Sequence, residues 1–474
     1  MIVDNYERFD GLGLAELVKT RQVSARELLN AAIERVECRN PAVNAVVNRL
    51  FDEAEATIAG GLPSGPFTGV PYLLKDLGVY YAGAVTSAGS AFLRDAVADH
   101  DSEMVARLKR AGLVIFGKTN TSEFGLSTST EPKLFGPTRN PFNLAFSAGG
   151  SSGGAAAAVA SGMVPMAHAT DGGGSIRVPA SCCGLFGLKP NRARNPMGPD
   201  FGEGWSGASV GHAVTRSVRD SAALLDATAG PDIGDPYWAP PTERPYLTEV
   251  GANPGHLKIA FSTTAWNGQE VDRECVAAVL EAAKLCESLG HHLEPATPAI
   301  DADEHAKATR IVITANTRRA LEVRAASLGR DPTRDDVEMV TWSMAEIGRT
   351  ATASEYAHAL VSMHRIGRIV ARFFGRFDIL LTPTLCRPPY KLGTLAMTGV
   401  DPKAFMQAIL STIAFTALFN TSGNPAMSVP LHWSANGLPI GVQFVAPFGD
   451  EATLLRLAAQ LEEARPWGER RPIV

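Results

Sequence analysis

Short apolar strands alternating with amphipathic helices place this chain in the α/β class. Three stretches carry that reading. Ser24-Ala25-Arg26-Glu27 is a capping box, followed by Leu28, Leu29, Ala32, Ile33 and Val36 at helical spacing. Gly69-Val70-Pro71-Tyr72-Leu73-Leu74-Lys75-Asp76 is a short apolar strand that runs into two charges. Asp101 to Arg110 then fits a helix with Val105 and Leu108 inward, stopped by Gly112 and followed by the buried strand Leu113-Val114-Ile115-Phe116.

The remaining elements follow in order. Asn40-Pro41 closes the first helix. Asn143 to Ala148 is a poor strand. Residues 147–190 change composition, with Gly149-Gly150-Ser151-Ser152-Gly153-Gly154 leading into Ala155-Ala156-Ala157-Ala158-Val159-Ala160. Alanine favours helix and has almost no bulk, so this helix is made for close burial. A second glycine cluster follows, Asp171-Gly172-Gly173-Gly174-Ser175-Ile176-Arg177-Val178-Pro179-Ala180. Residues 228–256 are rich in Pro and Gly and read as a surface excursion. Helical patterns fill roughly 272–290, 303–327 and 352–374. Phe377 to Leu381, ended by Pro383, and Ile440 to Val445 read as strands, and Glu451 to Glu463 as a helix.

Composition excludes several classes. The chain has 474 residues, 44 Lys+Arg against 49 Asp+Glu, 45% hydrophobic and 20% charged residues. That is globular usage, long enough to bury a core without staples. A net charge of −5 with no basic stripe argues against a nucleic-acid partner. The six cysteines show no CxxC pair, so buried thiols are expected rather than a disulfide framework. Met1 to Arg8 carries acids and no apolar core, and no apolar run is long enough to span a bilayer. A cytoplasmic protein with no membrane partner is the expectation.

Two glycine-rich loops, each presenting a serine, admit several chemistries. A phosphate cradle needs GxxxxGK[ST], but Gly184-Leu185-Phe186-Gly187-Leu188-Lys189 is followed by Pro190. Gly150-Ser151-Ser152-Gly153-Gly154 satisfies GxSxG formally, although the motif needs a strand immediately before it; His212, His291 and His432 follow in triad order. A β-lactamase-like site lacks its S-x-x-K and K-T-G. Structural glycines at turns and serines capping helices form a fourth possibility. In the fifth, a serine works with a neutral lysine, which must be desolvated because lysine ordinarily titrates near 10.4. Lys75 ends an apolar run where burial is plausible, yet pairing with Asp76 is equally consistent, and spacing alone does not single it out among the lysines.

Taken together, the two glycine clusters and the alanine helix resemble the amidase signature family. Gly69–Asp76, Gly117–Gly125, Gly184–Pro190, Ser422–Ala426 and Gly437–Gln443 match as well, in the same order. The resemblance covers nearly the whole chain. It implies one amidase signature domain over residues 1–474, a twisted mixed sheet covered by helices. The catalytic core would lie at about 65–195 and 375–450, with a substrate-shaping region at about 195–375. It further implies a Ser–cis-Ser–Lys triad: Ser175 as nucleophile, Ser151 as the bridging serine after a cis peptide bond from Gly150, and Lys75 as the final base. The backbone amides of Gly172, Gly173, Gly174 and Ser175 would form the oxyanion hole. Ser152 would support the bridging serine by hydrogen bonding, Asp171 and Arg177 would hold the loop, and Gly125 and Leu126 would border the acyl pocket. Gly172 stands where the family often carries a larger residue, which predicts a more mobile hole.

The implied activity is hydrolysis of the C–N bond of small amides through an acyl-enzyme. Neither cofactor nor metal is expected, since there is no HExxH and the histidines are scattered. His168 to Asp171 and Arg465 to Pro472 are similar to the cyclic-dimer hydrolase branch, which opens a nylon-related lactam; aryl acylamidases and carbamate-cleaving members share the same core. Anilides, cyclic amides and nylon-like oligomers are therefore the expected substrates. A carbamate or ester hydrolase on the same triad is the alternative, and a glutamine-hydrolysing amidotransferase subunit a more distant one. The resemblance suggests a monomer or homodimer. Trp205, Trp238, Trp342 and Met344 lie within the substrate-shaping region, and most of them are expected to pack in the core.

Overall fold

The computed structural model describes residues 3–472; Met1 and Ile2 of the acidic N-terminal stretch lie outside them. Thirteen strands occur among the described residues. They are β1 (Val46–Arg49), β2 (Pro71–Lys75), β3 (Val114–Thr119), β4 (Arg139–Asn140), β5 (Asn143–Ser147), β6 (Met166–Asp171), β7 (Phe186–Lys189), β8 (Val210–Thr215), β9 (Lys258–Phe261), β10 (His292–Pro295), β11 (Ile379–Pro383), β12 (Ala426–Trp433) and β13 (Pro439–Val445). Eleven form one sheet in the order β1-β3-β2-β6-β8-β7-β12-β13-β11-β9-β10. It is mixed: β2 runs parallel to β3 and β6, and β9 runs parallel to β10 and β11. The other neighbours are antiparallel.

Chain order divides the sheet in two. The strands from β1 to β7 in that order all precede residue 216, and those from β12 to β10 all follow residue 257. The halves meet where β7 pairs with β12, Lys189 opposite Ala426 and Gly187 opposite Ser428. Helices cover both faces. The helix Gly153–Ala160 is buried along its whole length. Its glycines permit this, since a Cβ on Gly154 would lie 2.4 Å from Asn120 N.

Several boundaries differ from the expectation. A helix at Gly11–Lys19 comes before the one expected first, which runs Ala25–Val43 and contains Pro41. A proline costs one intrahelical bond there, so the stop is set instead by left-handed Asn44, whose amide donates to Asn40 O at 2.7 Å. The expected helix from Asp101 begins at Glu103, because Ser102 is extended. Asn143–Ser147 does form a strand, but it lies outside the main sheet, pairing with β4 in a two-stranded ribbon and bridging to Lys391 through Phe146. No strand of the main sheet therefore feeds Gly150–Gly154, which removes the nucleophile-elbow reading. The three histidines agree: His212 bonds Ser221, His291 bonds Gln460, and His432 bonds Glu281. The helices Met339–Thr350, Pro402–Thr412 and Ala417–Ser422 were not anticipated. Trp238 is 61% exposed rather than packed in the core.

Candidate active site

Lys75 is the last residue of β2, between β3 and β6, and is fully buried. Its Nζ donates to Ser151 Oγ at 2.7 Å and to Thr170 Oγ1 at 2.8 Å. Among the described residues no carboxylate lies within ion-pair distance of it. Burial pushes the Lys75 ammonium down to about 7, with only a partial opposing pull from Asp171. The neighbouring Asp76 is turned away from Lys75. It accepts from the Ser87 amide and lies 3.8 Å from Lys118 Nζ.

Ser151 follows a cis peptide bond from Gly150. Only glycine fits at 150, because a Cβ would lie 2.8–2.9 Å from the backbone of Ser127 to Ser129. Ser152 differs from its expected role. Its hydroxyl exchanges hydrogen bonds with the N–H and C=O of Thr170, both at 3.3 Å, and does not touch the Ser151 hydroxyl.

Ser175 stands at the start of a short helix, Arg177–Cys182, and is 9% exposed. Its hydroxyl has no partner among the described residues. The loop before it is clamped by a buried ion pair. Arg177 Nε and Nη2 donate to the two oxygens of Asp171 at 2.9 and 2.8 Å, and both residues are wholly buried. The remaining guanidinium donors reach Thr416 O at 3.0 Å, Gln443 Oε1 at 2.7 Å and Asn420 Oδ1 at 2.6 Å. Burial alone would raise the Asp171 carboxyl, but the Arg177 guanidinium overrides it and holds the carboxyl well below the usual range.

This clamp corrects one expectation. The Gly174 amide donates to Asp171 Oδ1 at 2.8 Å, so it is turned away from the cavity. The amides of Gly172, Gly173 and Ser175 donate to nothing among the described residues. Gly174 instead serves by its φ of +137° and by leaving room for Thr416, whose hydroxyl donates to Gly173 O at 2.5 Å. At Gly172 the reason for glycine is space: a Cβ would lie 2.7 Å from the Trp205 ring.

Two cavities meet at Ser175. The larger, about 730 Å3, is bordered by Ser151, Thr170, Gly172 and Gly125, and by charged residues including Asp200, Glu203 and Arg319. The smaller, about 130 Å3, is mainly apolar, with Leu126, Val312, Ile313, Met344, Met363 and Met406. Trp205 borders both. Gly125 borders both cavities and Leu126 the smaller one, and a Cβ on Gly125 would come within 3.3 Å of Ser151 Oγ.

Sequence reasoning missed Thr170, Trp205, Thr416, Asn420 and Gln443. One signal was available for Thr170: on a strand it shares a face with His168, one residue before the second glycine cluster. Nothing comparable marks Asn420, on the helix Ala417–Ser422, or Gln443, on β13 in the far half of the sheet.

Comparison with known proteins extends this picture. Residues 27–455 match the family described as Amidase. A 6-aminohexanoate-cyclic-dimer hydrolase of Paenarthrobacter ureafaciens is 41% identical over 475 residues, covering 98% of this chain and 96% of that protein. The solved structure of 6-aminohexanoate cyclic dimer hydrolase complexed with substrate has a TM-score of 0.94 at 40% identity, covering 98% of both chains. A bacterial aryl acylamidase of the amidase signature family has a TM-score of 0.89 at 29% identity, covering 98% of this chain and 99% of that one. This chain is a member of the amidase signature family, whose enzymes hydrolyse carbon–nitrogen bonds other than peptide bonds.

Proposed function

We propose that the chain hydrolyses small amides through an acyl-enzyme on Ser175, with Ser151 relaying a proton to Lys75. The observation that carries this reading is the wholly buried Lys75 amine, 2.7 Å from Ser151 Oγ and without a carboxylate partner. A lysine whose pKa is lowered to about 7 is a neutral amine in a large fraction of molecules at physiological pH, and the lone pair of that amine can take a proton. Ser151 passes its proton to Lys75 while taking that of Ser175, and the Ser175 oxygen attacks the carbonyl. Charge then develops on the carbonyl oxygen, where the free amides of Gly172, Gly173 and Ser175 stabilise it. Lys75, now protonated, returns the proton through Ser151 to the leaving amine, and water repeats the sequence to release the acid.

The mainly apolar smaller cavity takes the acyl group, and the larger, more polar one takes the amine side. Residues from the 195–375 region border both, which supports its role in shaping specificity. Anilides, cyclic amides and nylon-like oligomers suit this arrangement. The test is amine release from an anilide, an aryl carbamate and a small cyclic diamide, each beside Ser175→Ala. Turnover of at least one amide that falls below about 1% in Ser175→Ala is expected. Retained turnover above that level overturns the nucleophile assignment, and turnover of the carbamate alone moves the substrate class.

A further inference from the structure

Four residues border both cavities: Gly125, Gly172, Ser175 and Trp205. Of these only Trp205 carries a large side chain. Its ring lies against Gly172, where a Cβ would fall 2.7 and 2.8 Å from two ring carbons. Gly172 is not left-handed, so its φ does not demand glycine; the ring does. The indole thus fills the space that a side chain at position 172 would take.

The turn that presents this ring is an unusual one. Trp205, Ser206 and Gly207 are left-handed in succession, with φ of +49°, +52° and +78°. Non-glycine residues adopt that region rarely and keep it only where their surroundings enforce it. Here Ala208 N donates to Trp205 O at 3.2 Å and Ser209 N to Gly204 O at 3.0 Å, which closes the turn. The Ser206 hydroxyl pairs with Tyr356 OH at 2.7 Å, on the helix Ala353–Phe373, and Arg192 Nε donates to Gly207 O at 2.8 Å. Asn420 ties the turn to the loop before Ser175, since its Nδ2 lies 3.0 Å from both Ala208 O and Asp171 O. The Trp205 side chain packs against two apolar clusters, one with Met344 and Phe405 and the other with Val312 and Met363.

We propose that Trp205 is a positioning residue for the oxyanion hole. Its ring stands in for the side chain that Gly172 lacks and holds the Gly172 amide in line with the carbonyl oxygen. Glycine at position 172 then leaves the hole no more mobile than a larger residue would. This rests on the reading of Ser175 as nucleophile and of the Gly172 amide as part of the hole.

The test is the rate at which phenylmethanesulfonyl fluoride labels Ser175, followed by intact mass. That reaction needs the nucleophile and donors for a sulfonyl oxygen, but no known substrate. The Ser175 oxygen bonds to sulfur, fluoride leaves, and the hydroxyl proton passes through Ser151 to Lys75. The variants are Gly172→Ala, Trp205→Ala and the two combined. Thermal melts check their folding, and Trp205→Leu takes the place of Trp205→Ala if that variant does not fold. Each single variant is expected to slow labelling about tenfold or more, as a small misplacement of a reacting or stabilising group does. The double variant is expected to label about fivefold faster than Gly172→Ala, because the new methyl group takes space the ring has left. Losing the ring is therefore harmful beside glycine and helpful beside alanine. A ring that served only as a cavity wall would alter probe binding alike in both backgrounds. Parental labelling in Trp205→Ala, or a double variant no faster than Gly172→Ala, overturns the inference, while labelling that disappears in Ser175→Ala keeps the nucleophile assignment standing. Labelling that persists in Ser175→Ala would sink that assignment and this inference with it.

Discussion

Removing the Asp171 carboxylate strands one of the most buried charges in the molecule. In Asp171→Ala the Arg177 guanidinium keeps its bonds to Thr416, Gln443 and Asn420 but loses its only ion-pair partner among the described residues. Breaking a fully buried pair from one side costs about 3–5 kcal/mol. By the scaling of unfolding entropy with length, a chain of 474 residues then loses about 3–5 °C in Tm. The amides of Gly174 and Ile176 also lose their acceptor, so the loop that aims the neighbouring amides is released. Losing one well-placed oxyanion donor costs about 10²–10³ in kcat, and a fall of that size is expected. Because the Asp171 pKa is depressed, its stabilisation is complete above the unfolded value near 4 and is lost only as pH falls through the folded value, so the titration of the carboxylate itself adds no change to the Tm difference between pH 5 and 9. Thermal melts and steady-state anilide kinetics test this. The double variant Asp171→Ala/Arg177→Met, which strands no charge, should melt above Asp171→Ala while remaining slow. Parental Tm with kcat within threefold in Asp171→Ala would refute the clamp.

Three further outcomes are expected. The acid limb of kcat/KM should centre near pH 7, since the Lys75 amine is protonated below its lowered pKa and cannot accept a proton; a limb centred below pH 5 would exclude Lys75 as the base. Gly154→Ala should cost about 1–3 kcal/mol or more, because its Cβ would meet the Asn120 backbone at 2.4 and 2.6 Å, whereas Gly173→Ala, with nothing within 4 Å, should melt like the parent by circular dichroism. A disulfide reagent should titrate one thiol in the native protein, the exposed Cys38; burial pushes the thiols of Cys182 and Cys286 up to about 12 and shields all five others, and rapid labelling of two or more would contradict that burial.

How far the sequence reveals the molecule depends on distance along the chain. Capping boxes, alanine runs and apolar strands are local signals, and the α/β class and most element positions follow from them. Asn44 escaped notice because a left-handed stop has weaker sequence marking than the proline beside it. The residues proposed to carry the chemistry were legible only through resemblance, since spacing does not distinguish Lys75 from buried Lys118 or Lys189. The clamp was half legible: Asp171 and Arg177 are six residues apart, but Asn420 is 243 residues from Arg177 and Gln443 is 266 away. The reversal at Gly174 was hidden for a related reason. Glycine content reports that a loop is free to turn, and only the carboxylate beside it decides which amide turns inward.

The division of the sheet at β7 and β12 also sets a timetable for synthesis. A ribosome adding about 5–20 residues per second needs roughly 13–53 s to pass from Arg177 to Gln443. For most of that interval, until β12 is made, the nascent half-sheet exposes the unpaired outer edge of β7, a template for association with other chains. Lys75, Ser151 and Ser175 have already emerged by then, while the acceptors contributed by Thr416, Asn420 and Gln443 have not. A fragment ending after β8 would thus hold every group assigned to the chemistry, yet remain inert and prone to aggregate.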